Sequence, residues 1–295
     1  MTERRRRMLL VAVLVAVELV VLVGIVVVSS GLGSFSVGRH GFWRLEGGRR
    51  VIHERFFPLT DQDRQLFISN EAGSVVLRGG DTDFGVRAIV RGLGTAKDDM
   101  ATDLESLNLR VEHSATEFRI EAHRPRGWVD RESRIDLEVT MPHNGVARVV
   151  AAMGSIDIRD LRGSVHADAK MGQVRAIRFA GDLTATAHMG SVKLEQMSID
   201  QMLDVQANMG SVSFSGELGK TNAIRADMGS ITVVLGPNHP ALELDARVQM
   251  GKLQNSLLFT GVSSKNDLQG VLGQGIPQGS LTLSANMGTI RIRDR

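Results

Sequence analysis

The chain holds 295 residues (32.0 kDa) and sets 35 Lys and Arg against 33 Asp and Glu, a formal charge of +2. Despite a sequence pI of 9.3, that balance defines no polyanion-binding surface, and the absence of Cys excludes disulfides, thiolate metal sites and thiol nucleophiles. With 32 Gly, 6 Pro, no Tyr and 4% aromatics, the chain is neither disordered nor collagen-like; it must turn often and fill its core with small aliphatic side chains.

Arg4, Arg5, Arg6 and Arg7 precede an apolar run at 8–28, MLLVAVLVAVELVVLVGIVVV, in which only Glu18 and Gly24 fall outside the apolar set. These 21 residues match the span a helix needs to cross hydrocarbon and exceed the apolar stretch of a cleavable signal. The pattern predicts one uncleaved transmembrane helix, with Ser29-Ser30-Gly31 as the competing cleavage point. Arg39 and Arg44 are the nearest basic residues beyond it, so the positive-inside rule places residues 1–7 in the cytoplasm and everything after 28 outside the cell membrane. Glu18 lies mid-span, as either a protonated carboxyl tolerated by a very apolar helix or a contact for another membrane protein. Residues 29–58 mix Gly, Ser and Arg without a period and read as a linker.

Residues 59–145 carry a strand pattern in weak and irregular form. Leu66 to Leu77 reads as strand, Gly-Ser bend, strand, with Ala72 before Gly73. Alternating runs recur at 84–91, 107–112, 117–122 and 134–141. Ala96 to Leu107 has helical spacing at Met100, Leu104 and Leu107, so one short helix is expected there, placed to cap an open sheet edge.

From 146 to 295 the chain repeats itself. Met-Gly recurs at Met153-Gly154, Met171-Gly172, Met189-Gly190, Met209-Gly210, Met228-Gly229, Met250-Gly251 and Met287-Gly288, at spacings of 18, 18, 20, 19, 22 and 37. Alignment on Met brings other apolar columns into line. Two residues before it stand Ala151, Ala169, Ala187, Ala207, Ala226, Val248 and Ala285; three after it stand Ile156, Val174, Val192, Val212, Ile231, Leu253 and Ile290. The columns four before and five after are apolar too, except Asn255. Period-two alternation with a one-residue slip at Gly predicts strand, bend, strand, with a second bend near Gly163, Gly181, Gly219 and Gly236. Units this short bury a face only by stacking, so an all-β, single-stranded β-solenoid of 18–22-residue rungs is expected. On this reading Met and Ala form internal ladders, Met filling gaps in the core. The segment 254–280, with Gly261, Gly270, Gly273, Gly275 and Gly279, loses the mark and is expected to hold one degenerate rung and a long loop, the one irregular place suited to recognition.

The Gly-Ser-Val bend at 73–75, the run Ile135 to Thr140 followed by Met141-Pro142, and the Gly-Ser-Ile or Gly-Ser-Val rungs at 154, 190, 210 and 229 resemble the DUF4097 family, bacterial adhesin-like β-strand repeat proteins. The resemblance covers roughly 59–295. It implies a right-handed β-solenoid exposed at the cell envelope without an established catalytic activity, and related domains occur in envelope-stress sensing systems. The near-uniform Met before Gly departs from the looser family pattern.

Residue types able to do chemistry are scattered. Met thioethers suit copper(I), but a buried ladder accounts for them without a metal. His166 and His188 fall in different outward columns, and metal sites need convergence. Asp157, Asp160, Asp168 and Asp182 invite comparison with β-helical polysaccharide-cleaving enzymes but sit among Arg159, Lys170 and Arg175 on an outward face. The Gly-rich 270–279 leads into a strand, so it makes no phosphate cradle, and nucleic-acid binding lacks a basic stripe and aromatic platforms. No catalytic residue, cofactor or metal is assigned. The expected function is a non-catalytic binding, adhesin-like or scaffolding module whose partner is an envelope component. An envelope-stress accessory or sensor is the alternative, and a polysaccharide-active enzyme a third, disfavoured one.

Overall fold

The computed structural model describes residues 50–59, 65–92, 109–114, 117–123, 134–236 and 239–295. The expected membrane helix with Glu18, and the expected short helix at 96–107, lie outside these residues. The described residues are all-β and contain no helix, hence none long and apolar enough to cross a membrane.

Among the described residues nineteen strands follow one another. The first seven are β1 (Arg50–Pro58), β2 (Gln65–Ala72), β3 (Val75–Gly80), β4 (Gly85–Gly92), β5 (Leu109–His113), β6 (Glu117–Ala122) and β7 (Arg134–Pro142). The repeat supplies β8 (Asn144–Met153), β9 (Ile156–Arg159), β10 (Arg162–Met171), β11 (Val174–Met189), β12 (Val192–Met209), β13 (Val212–Glu217), β14 (Thr221–Met228) and β15 (Ile231–Leu235). The chain ends with β16 (Leu242–Asn255), β17 (Phe259–Ser263), β18 (Asp267–Leu272) and β19 (Gly279–Asp294). Strand β1 lies inside the segment expected to be linker, so the folded part includes Arg50–Pro58 and starts earlier than 59.

Each repeat is a strand, a Met-Gly corner and a further strand, and the described strands all join in one hydrogen-bonded sheet. Successive repeats pair parallel and in register, Ala169 on Ala151 and Ala187, Met171 on Met153 and Met189. Strands β11 and β12 run unbroken from one Met-Gly corner to the next. Together with β13, β15, β19 and β14, β12 closes a ring of five parallel strands, because β12 pairs with both β13 and β14 and β19 with both β14 and β15. Inside lie the predicted apolar columns: Ala151, Ala169, Ala187 and Ala207, and across from them Ile156, Val174, Val192 and Val212, are at most 1% exposed.

Order in space departs from order in sequence at both ends. β19 lies between β14/β15 and β16, so Met287 separates Met228 from Met250. At the other end β2/β3 lies between β6/β7 and β8/β9. A buried Asn marks each junction. Asn70 Nδ2 donates to Ile135 O (2.8 Å), and Asn222 Nδ2 donates to Ser280 O (2.8 Å) and Gly219 O (2.8 Å) while its Oδ1 accepts from Gly219 N. Unpaired, such an amide would cost about 1–3 kcal/mol, so each Asn favours the strand that supplies the matching carbonyl.

The stack is closed by antiparallel strands. β4 covers β7 and is covered by β1, and β5 covers β6. At the far end β18 pairs with β16 over 242–247, and β17 with β18. Segment 254–280 therefore holds a hairpin cap, not a degenerate rung and recognition loop. Leu268 and Leu272 are buried, and Gly261 faces Gly270 where a Cβ on either would meet backbone at 2.3 Å or less. Those glycines serve close strand approach.

Candidate functional site

The Met-Gly corner has one residue the fold requires and one it does not. At Gly172, Gly190, Gly210 and Gly229 φ lies between 153° and 155°, and a Cβ would sit 1.9–2.0 Å from the glycine carbonyl oxygen one repeat below. Only Gly fits there. The corner backbone satisfies itself: Gly172 N donates to Met189 O, Gly190 N to Met209 O and Gly210 N to Met228 O, at 2.9–3.1 Å. Ser191 and Ser211 Oγ add weak bonds from the next repeat's serine N–H, at 3.3–3.4 Å.

The methionines point outward. Met171, Met189, Met209, Met228, Met250 and Met287 are 42–61% exposed, whereas the Ala or Val two residues earlier is buried in every repeat. The expected core Met ladder is thus corrected. The phase slip comes before Met, not after it: both the preceding residue and Met face solvent on the outside of the bend, and the inward phase resumes three residues on. In spatial order the ridge runs Met153, Met171, Met189, Met209, Met228, Met287, Met250. At ~4.8 Å per strand it is roughly 29 Å long.

The second corner falls at residues that the glycine pattern does not mark. Asp160, Arg178 and Gln196 hold φ of 53–54°, in line with one another, whereas the expected glycines Gly163 and Gly181 lie a few residues further on. His143, Arg162 and these three line a shallow groove of about 310 Å³. Within it Arg178 binds Asp160 through two nitrogens, at 2.5 and 2.9 Å, and His143 Nδ1 lies 2.7 Å from the Asp160 backbone O. The Arg178 hydrogen bonds hold the Asp160 carboxyl below its usual range, and bonds from Lys193 and then Arg175 do the same to Glu195.

The other sequence candidates do not meet. Asp157 binds Arg159, Asp182 Oδ1 accepts from the backbone of Gln201 and Met202, and Asp168 faces His188. His166 belongs to the column of Arg148 and Thr184, apart from His188. Among the described residues no three of His, Asp and Glu converge as metal ligands.

No family model matches the sequence, and neither does any curated protein. The chain is similar in structure to a "putative cell adhesion protein" of Clostridium sporogenes, at TM-score 0.37 and 11% identity over 82% of this chain and 99% of that one. It is likewise similar to a "putative adhesin" of Bacteroides fragilis (TM-score 0.38, 11% identity, 82% and 96% covered). A "putative lipid binding protein" of Parabacteroides distasonis matches at TM-score 0.22 and 11% identity, with 84% and 97% covered.

Proposed function

We propose that this protein is a non-catalytic, adhesin-like binding module at the cell envelope and that the methionine ridge is its contact surface. The carrying observation is that one repeated side chain is left outside by the packing. The inward columns and the corner glycines answer to the fold, while six stacked methionines face solvent over a corner whose backbone is already hydrogen-bonded. Thioether side chains are apolar, polarisable and adaptable, properties of surfaces that take up partners. The non-catalytic reading rests on the outward carboxylates, each engaged with a different group rather than gathered at one place.

The wider frame is part of the same proposal. The repeat is a right-handed β-solenoid of the DUF4097 type, the hand following the rule for parallel crossover connections. Residues 8–28 hold it in the membrane with the N-terminus cytoplasmic, and Glu18 offers a contact to a second membrane protein. Protease added to spheroplasts should then digest the chain beyond 58.

The test of function compares adsorption of the purified chain to isolated cell envelopes with that of a variant carrying Met171→Gln, Met189→Gln, Met209→Gln and Met228→Gln. Loss of adsorption with the β-sheet circular dichroism retained is expected; undiminished adsorption overturns the ridge. Release of reducing ends from envelope glycan by the purified chain would overturn the non-catalytic reading.

A further inference from the structure

The ridge is uniform in Met but not in the residue before it. That column reads, in spatial order, Ala152, Lys170, His188, Asn208, Asp227, Asn286 and Gln249, with a single histidine near its centre. His188 and Met189 are neighbours in the chain and both half-exposed on the outside of the bend. Met209 pairs with Met189 directly, one strand spacing away.

The hydrogen bonds around His188 orient it. Gln206 Nε2 donates to Asn208 Oδ1 (3.0 Å), which turns the Asn208 amide so that its Nδ2 faces His188 Nδ1 at 3.3 Å. Nδ1 is therefore the accepting nitrogen and Nε2 carries the proton. On the other side Nε2 lies 3.3 Å from Asp168 Oδ1, a buried oxygen with no aligned donor. The imidazole thus presents a lone pair toward the Met209 repeat and an N–H toward a carboxylate. A carboxylate within reach of the N–H nitrogen is the kind of group that orients a metal-ligating histidine once the ring turns onto its ion.

We propose that His188 Nδ1 and the thioether sulfurs of Met189 and Met209 bind a soft monovalent cation of the copper(I) and silver(I) class. Neutral thioethers and one imidazole select such ions over calcium, magnesium or manganese, which require oxygen ligands. Met side chains have three rotatable bonds, so sulfurs from strands ~4.8 Å apart can turn onto one ion. Lys170 occupies the equivalent place on the Met171 side and repels a cation there, which sets the ion toward Met209. Binding displaces the Asn208 N–H from Nδ1 and leaves Nε2–H to satisfy Asp168. The inference shares the ridge with the proposed contact surface but does not depend on it: envelope adsorption and cation binding fail separately.

The probe is silver nitrate, titrated calorimetrically in chloride-free buffer into the full chain in nonionic detergent, with copper(I) checked anaerobically against a chromogenic chelator. One tight equivalent is expected. The pair Met189→Leu with Met209→Leu, and separately His188→Gln, should weaken it by about tenfold or more, the scale of losing ligand or ligand-orienting groups. The pair Met153→Leu with Met250→Leu, at the two ends of the ridge, should leave it unchanged. Asn208→Ala removes the competitor for Nδ1 and should tighten binding. Absence of a tight equivalent, equal losses from both leucine pairs, or weaker binding in Asn208→Ala would overturn the site. Because the substituted methionines lie on the outside of the bend, circular dichroism should be unaltered in every leucine variant.

Discussion

At the corner, adjacent residues carry opposite burdens. Gly210 has φ of 155°, within the narrow range of its column, and a Cβ there would lie 1.9 Å from Gly190 O, with the backbone of Gly190 and Ser191 against it and no flexible side chain to yield. Gly210→Ala should therefore destabilise by about 2–5 kcal/mol, combining overpacking with backbone strain. Met189→Gln, at an exposed position, should stay within about 0.5 kcal/mol in the same urea titration. A Met189 variant as damaging as the Gly210 one would return the methionines to the core. The second corner makes a pH-dependent prediction. Hydrogen bonds from Arg178 favour the ionised Asp160 carboxylate, so its folded-state value is depressed. Its contribution is present above the ordinary carboxylate value near ~4 and is lost as pH falls through the depressed one. Carboxyl-carbon NMR should find Asp160 titrating higher in Arg178→Gln than in the parent chain; an unchanged midpoint would mean the pair does not persist in solution.

Strands were legible because burial imposes period two, and the Ala169, Val174 and Leu194 columns declared their faces through identity alone. The Met face was not legible for the same reason. Met171 continues the parity of Ala167 and Ala169, and nothing in composition reveals that both Lys170 and Met171 turn outward at the bend. Strand order was hidden because repeats that match in register fit beside one another wherever they occur: Met287 matches Met228 and Met250 equally well. Asn222 adds a side-chain bond to the strand that was inserted, reaching Ser280 O from inside the stack. Asn222→Leu removes that bond and leaves the Ser280 and Gly219 carbonyls without their donor. It should destabilise by about 1–3 kcal/mol, and amide exchange should speed up in 280–287 before it does in 162–171. Uniform acceleration across both segments would show that the Asn does not hold the inserted strand.

For the whole stack, stability is a sum of neighbour contacts, so an out-of-sequence strand has consequences at a distance. β19 is flanked by β14/β15 on one side and β16 on the other, and among the described residues it is the only strand paired with 250–255. Removing 279–295 would take away one repeat and also isolate β16, β17 and β18. What remains of that end is a three-stranded antiparallel sheet whose buried side chains, Leu242, Leu244, Leu268 and Leu272 among them, lose the surface they pack on. With that apolar face returned to water, the sheet loses the burial that drives its folding. Deletion of 279–295 should therefore leave 242–272 unprotected in hydrogen exchange while 144–217 keeps its protection. It should also be no more stable than deletion of 237–295, although it retains 42 more residues of chain (237–278). Both truncations expose the β14/β15 edge and should associate at high concentration, as unpaired strands do. Protection of 242–272 in the shorter deletion would mean that the cap folds without its inserted neighbour, and the closure of this end would then rest on the hairpin and not on β19.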